Sequence, residues 1–152
     1  MPQLFSSKNL LHSTQPLVIG AVSSAATLEG ISQVTLTSEE CDVLELRLDM
    51  IDLPLEELQN HASHLPLPLL ITARHPDEGG HGNLDASARM KLLDALLPHA
   101  ALMDVELRSA TEMLPLIRKA QSQGVGVIGS FHDFAGTPPD DHLDPGRLNP
   151  LS

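Results

Sequence analysis

Apolar residues gather along this chain in runs of strand length. The runs are "PLVIGAV" (16–22), "CDVLELRLD" (41–49), "LPLLITAR" (67–74), "LMDVELRS" (102–109) and "VGVIGSF" (125–131). Several are rich in valine, leucine and isoleucine with little strict alternation, as expected where both faces of a parallel sheet are covered. Segments of helical period lie between them. "PLEELQNHASHL" (54–65) puts proline at the first helical position and two glutamates in the first turn. "DASARMKLLDALLPHA" (85–100) opens with an aspartate cap and sets Met90, Leu93 and Leu97 along one stripe. "SATEMLPLIRKAQSQG" (109–124) opens with a serine cap and ends at Gly124, with Arg118 and Lys119 near the negative helix end. A further helix is expected within 24–40, where "QVTLT" weakens the pattern. Five strands and four intervening helical segments read as repeated βαβ units, hence a parallel α/β sheet. Periodicity leaves two architectures open: a doubly wound sheet, or part of an eight-stranded barrel. No G-x-G-x-x-G turn follows the first strand and no G-x-x-x-x-G-K-[ST] occurs, so nothing supports a nucleotide-binding fold.

Composition narrows the class without naming a chemistry. The 152 residues make one domain by length, with 41% apolar and 19% charged residues, as in a soluble folded protein. A formal net charge of -11 argues against nucleic acid or anionic lipid as the main partner, although local arginines can still hold a small anion. Cys41 is the only cysteine, so neither an intramolecular disulfide nor a thiolate metal cluster can form within one chain. Residues 1–15 lack the apolar core of a signal peptide, and no apolar run reaches the roughly 18 residues of a spanning helix. The expectation is a cytoplasmic domain without membrane or nucleic-acid contacts.

The placement of the charges is more informative. Glu45 and Arg47 lie two apart in an apolar strand and so point to one face. Arg74 ends the third strand, and the loop "HPDEGG" adds His75, Asp77 and Glu78. Asp104 and Glu106 are again two apart on the fourth strand, and His132 with Asp133 ends the fifth. In a parallel α/β protein the C-terminal strand ends share one side, where ligand sites form. Charges buried there need partners or a ligand. Blander readings stand beside this one. Glu45 and Arg47 would form a buried ion pair, Asp104 and Glu106 would support the arginines, and His132 alone would be structural. His12, His61, His64, His81, His99 and His142 fall on helices or loops and are expected to face solvent. Neither His61 with His64 nor His75 with His81 has a convincing ligand set, so no metal is expected.

Four segments together resemble one family: "LELRLD" (44–49), "TARHPDEGG" (72–80), "MDVELR" (103–108) and "GSFHDFAGTP" (129–138). In this order and near this spacing they are similar to type I 3-dehydroquinate dehydratase, and the likeness covers roughly residues 16–138. The resemblance implies a (β/α)8 TIM barrel of which only about the first five strands are present. Residues 1–15 would precede the partial barrel and 139–152 would be a divergent tail. It also implies a cofactor-free lyase reaction, the dehydration of 3-dehydroquinate to 3-dehydroshikimate in the shikimate pathway. A lysine forms an imine with the ketone, and a histidine removes the C2 proton and helps the C1 hydroxyl leave as water. By resemblance, His132 is the acid/base histidine and Glu78 its acidic partner. Glu45, Arg47 and Arg74 match substrate-binding positions, with Asp104 and Glu106 supporting them.

The likeness breaks at the lysine, which the family carries at the end of the sixth strand. Here the lysines are Lys8, Lys91 and Lys119, and none matches that position. Later substrate-binding elements are missing, a family serine on the first strand is replaced at Ala21 or Gly20, and "PGRLNPLS" does not propagate into the next helix. The expectation is a C-terminally truncated member of impaired activity. An alternative is an inactive half-barrel serving as a binding or assembly module, in which a homodimer covers the open sheet edges. A third reading is an unrelated α/β domain with structural ion pairs at its strand ends.

Overall fold

The computed structural model describes residues 6–34 and 40–139. Five parallel strands form one sheet: β1 (Ile19–Val22), β2 (Val43–Arg47), β3 (Leu69–Thr72), β4 (Leu102–Glu106) and β5 (Gly126–Ser130). Each lies inside the apolar run that predicted it. Helix α1 (Ser7–Leu11) precedes the sheet, and α2 (Ala25–Ile31), α3 (Leu55–His64), α4 (Ala86–Leu96) and α5 (Leu114–Ser122) link consecutive strands. The strand order is β1-β2-β3-β4-β5, with no reversal of the kind that marks a doubly wound sheet. This sequential winding is that of a (β/α)8 barrel and decides between the two architectures.

Alternation along the strands gives the sheet two unlike faces. Leu44, Leu46, Leu69, Ile71, Met103 and Val105 point outward and join Leu58, Leu93, Leu96, Leu116 and Ile117 of the helices in the main core. Burial of each such side chain contributes roughly 1.5–3 kcal/mol, so this layer holds the helices on the sheet. The inner face changes character along its length. Toward the N-terminal strand ends, Val43, Leu70 and Leu102 form a second apolar cluster, with Leu10 of α1 and Ile128 packed on it. Gly126 makes room for α1 there: a Cβ would meet Leu102 Cδ2 and Leu11 Cδ1, both at 2.8 Å. Ser7 Oγ fixes the helix by donating to the Gly124 carbonyl at 2.8 Å. Toward the C-terminal strand ends the inner face is polar.

Two helix starts differ from expectation. Pro54 is the residue before α3 rather than its first member; its φ of -54° suits either place. Ser109 does not cap α5. It is buried in a 3-10 turn (Leu107–Ser109), its hydroxyl accepts from Arg89, and α5 begins five residues later at Leu114. Asp85 does cap α4, accepting the Ala88 N–H at 2.7 Å. Between β1 and β2 the helix covers Ala25–Ile31, capped by Ser24; the remainder expected up to 40 falls partly at 35–39, outside the described residues, as do "PGRLNPLS" and His142. Among the described residues no helix is long and apolar enough to cross a membrane.

Candidate active site

Arg74, just past β3, is the centre of the polar inner face. Its Nη1 donates to Asp104 Oδ1 at 2.8 Å, to Glu106 Oε1 at 3.2 Å and to Ser130 Oγ at 2.8 Å. Among the described residues Nη2 has only Glu45 Oε1, at 4.0 Å. One arm of the guanidinium fork is therefore tied down and the other is loosely held. Ser130 donates in turn to Asp104 Oδ1 at 2.6 Å. Burial raises the Asp104 carboxyl above the usual aspartate range, against the hydrogen bond from Ser130 and the charge of Arg74; the charge of Glu106 adds to the rise.

Glu45 and Arg47 share the inner face, yet they do not form the ion pair considered from the sequence. Glu45 Oε1 accepts from Thr72 Oγ1 at 2.8 Å. Arg47 instead grips Asp49 through Nε and Nη2, at 3.0 and 2.9 Å. Asp49 also accepts the backbone N–H of Arg74 at 3.3 Å and of His81 at 2.9 Å. Burial pushes this carboxyl up, but the Arg47 hydrogen bond, the His81 N–H and the Arg47 charge outweigh it, so Asp49 titrates below the usual range. The same hydrogen bond raises Arg47 further, against burial.

The loop after Arg74 is shaped by two glycines. Gly79 sits at φ +85°, closing a 3-10 turn (Pro76–Glu78), and a Cβ on Gly80 would run into the Arg74 carbonyl oxygen. The turn buries Glu78 and aims it at the end of β5. Glu78 Oε2 accepts both the backbone N–H of His132 and its ring Nδ1, each at 3.0 Å. An ionised Glu78 sets the proton on Nδ1 and leaves Nε2 as the free ring nitrogen. Phe134 packs against Gly79. Arg108, half-exposed, donates to Asp77 Oδ2 at 2.9 Å and lies 3.8 Å from Glu78 Oε1. The ring Nδ1 of His75 accepts the Asp77 N–H, while the backbone N–H of His75 donates to Glu106. Among the described residues no group of three or more His, Cys, Asp or Glu is arranged to hold a metal.

A profile of the family described as Type I 3-dehydroquinase matches residues 21–147. This chain belongs to the type I 3-dehydroquinase family. The 3-dehydroquinate dehydratase of Thermococcus gammatolerans is 33% identical over 131 residues, which cover 84% of this chain and 57% of that protein. The Haloquadratum walsbyi 3-dehydroquinate dehydratase is 28% identical over 136 residues, covering 83% and 56%. A crystal structure of 3-dehydroquinate dehydratase from Geobacillus kaustophilus matches with a TM-score of 0.73 at 25% identity, over 86% of this chain and 55% of the other. The chain spans little more than half the length of these relatives.

Within this type I 3-dehydroquinase chain, Ala21 rather than Gly20 faces the site, because it pairs with Glu45 across β1 and β2. Gly20 faces outward, against Cys41 Sγ. The lysines lie elsewhere. Lys8 is on α1, Lys119 is paired with Asp94 at 2.6 Å, and Lys91 lines the groove between α4 and α5 with them. Sequence reasoning missed Asp49, Thr72, Ser130, Arg108 and Arg89 as members of the polar network. Two carried a signal. Asp49 follows Arg47 at a spacing of two, and Arg89 falls on the helix stripe of Leu93 and Leu96, where a charge has no place without a partner.

Proposed function

We propose that this chain carries the substrate-gripping and proton-transfer groups of a 3-dehydroquinate dehydratase site. The observation that supports it best is the pairing of His132 Nδ1 with buried Glu78, on the same sheet end as an arginine with one loosely held arm. In this reading Arg74 Nη2 and Arg47 Nη1 bind the substrate carboxylate, since planar guanidinium forks match carboxylate geometry. Glu45 accepts from a ring hydroxyl. His132 Nε2 takes the proton from C2, and the electron pair left behind expels the C1 hydroxyl. The same imidazolium returns its proton to that leaving oxygen, so water departs and the ring is restored. Glu78 stabilises the imidazolium in the interval.

The imine that makes C2 acidic needs an amine at this end of the sheet. Lys119 is held by Asp94 in the helix layer and Lys8 is on the helix at the opposite end. The chain by itself is therefore expected to bind 3-dehydroquinate without forming the imine, which also favours the second reading, a binding module. Calorimetry with 3-dehydroquinate is the test: binding by wild type, weakened at least about tenfold in Arg74→Lys, is expected from the loss of one fork. No heat from the wild type sinks the reading. Borohydride trapping separates the two: a substrate adduct on the isolated chain would overturn the statement that its lysines are misplaced.

A further inference from the structure

Arg89 lies on α4, outside the sheet, yet it is only 1% exposed. Its Nη1 donates to Glu106 Oε2 at 3.1 Å, and Nη2 donates to Ser109 Oγ at 3.1 Å and to Glu112 Oε1 at 3.0 Å. Nε is buried with no hydrogen-bond partner among the described residues. As a mere tether between α4 and β4 this is a poor solution, because a buried charge with an unmet donor is less stable than a well-packed apolar side chain. Its reach continues through Glu106. The second oxygen of that carboxylate accepts from Arg74 Nη1 and from the His75 N–H.

We propose that Arg89 is a positioning residue: it neutralises Glu106 from behind and thereby keeps the Arg74 guanidinium available to an anion on the inner face. This rests on the reading of Arg74 as the carboxylate grip. Around Arg74 stand the carboxylates of Glu45 on β2 and of Asp104 and Glu106 on β4, while Arg47 holds Asp49 through Nε and Nη2. Without Arg89, the full charge of Glu106 falls on Arg74. The guanidinium then turns toward Glu106 and its loosely held arm is withdrawn from the site. Glu112 is half-exposed and screened by water, so it does not take over the role.

Asp104 reports on this without any ligand, since it shares Arg74 with Glu106, while the partners of Arg89 among the described residues are Glu106, Ser109 and Glu112. The groups that act on it are Ser130 at the end of β5, Arg74 after β3, Glu106 on its own strand and, through its charge, Arg47 on β2. The experiment follows the Asp104 carboxyl by carbon NMR through a pH titration, and 3-dehydroquinate binding by calorimetry. The variants are Arg89→Lys, Arg89→Met and the double variant Arg89→Met/Glu106→Gln. In Arg89→Met the Asp104 midpoint is expected to rise by about 0.5–1 unit, and 3-dehydroquinate affinity to fall about tenfold. Both recover in the double variant, where the uncompensated charge is gone, and both stay near wild type in Arg89→Lys. A merely structural Arg89 would leave the double variant as poor as the single one. That result, or an Asp104 midpoint unmoved in Arg89→Met, overturns the proposal. No binding by wild type sinks the substrate reading instead, and the Asp104 titration still decides the role of Arg89. If thermal melts show Arg89→Met unfolded, Arg89→Gln removes the charge while keeping a polar head and takes its place.

Discussion

At the N-terminal end of the sheet, the inner face is closed by Val43, Leu70, Leu102 and Ile128 under Leu10 of α1. A few residues further along the same strands, it carries Glu45, Arg47, Asp104, Glu106 and Ser130 around Arg74. The first end gains by leaving water, roughly in proportion to the apolar area buried and without needing a directional partner. The second gains nothing from burial alone: each charge is tolerable only while its partners stay in place. Division of this kind along one sheet lets stability be set at one end and ligand chemistry at the other. The contrast also says how each end should fail.

Removal of one member of the polar network should do the most damage. Arg74→Ala strands Asp104 and Glu106 beside each other, and a loss of about 3–5 kcal/mol is expected from breaking a buried pair on one side. Urea unfolding would measure it. A loss under about 1 kcal/mol would mean that the two carboxylates simply take up protons or water, and the claimed interdependence would be gone. At the apolar end, Leu102→Ala should cost about 2–4 kcal/mol by cavity formation. Because that residue lies away from the charges, 3-dehydroquinate binding per folded molecule should stay unchanged. A weakened affinity there would erase the distinction between the two ends.

The elements themselves were largely legible. Five apolar runs gave five strands because a strand covered on both faces has to be apolar along nearly its whole length, and interruptions by charge then stand out. Those interruptions, Glu45, Arg47, Asp104 and Glu106, mark the polar end of the sheet. What the chain could not reveal was who pairs with whom. Glu45 and Arg47 face the same way, but the turn after β2 returns Asp49 within reach of Nε and Nη2 of Arg47, and Thr72 of the next strand takes Glu45. Ser109 reads as a helix cap, yet its hydroxyl is used by Arg89 from another helix. Tertiary partners decided Glu45 and Ser109, which meet Thr72 and Arg89 from 27 and 20 residues away, whereas a local turn two residues on decided Arg47.

Two aspartates sharpen the comparison further because their surroundings push them in opposite directions. Asp49 is a carboxylate that the fold wants ionised: its folded value lies below the usual one. Its contribution is therefore complete above the unfolded value of about 4 and disappears as the pH falls through the lower folded value. Asp49→Asn should destabilise the protein by about 2 kcal/mol at neutral pH, through weakened bonds to Arg47 and to the loop at His81. The gap to wild type should close on acidification below about pH 4. A gap that persists unchanged into acid would assign the loss to packing rather than charge.

Asp104 is the smaller and opposite case. Burial raises its folded value, so between the ordinary value of about 4 and the raised one the folded protein holds a proton that the unfolded chain has released. Stability accordingly falls as the pH rises through that window. Asp104→Asn keeps an oxygen acceptor for Ser130 and Arg74 while removing the charge, and should stabilise the fold at neutral pH by up to about 1 kcal/mol. For a chain of this size that is a rise of about 2–4 °C in Tm. The advantage should vanish near pH 4, where the wild-type carboxyl is protonated in the folded protein as well. Relieved of one carboxylate, Arg74 should also hold 3-dehydroquinate more tightly than in the wild type. A lower Tm at neutral pH would show that the attraction between Asp104 and Arg74 exceeds the cost of burying the charge. The polar end would then be a stabilising element in its own right.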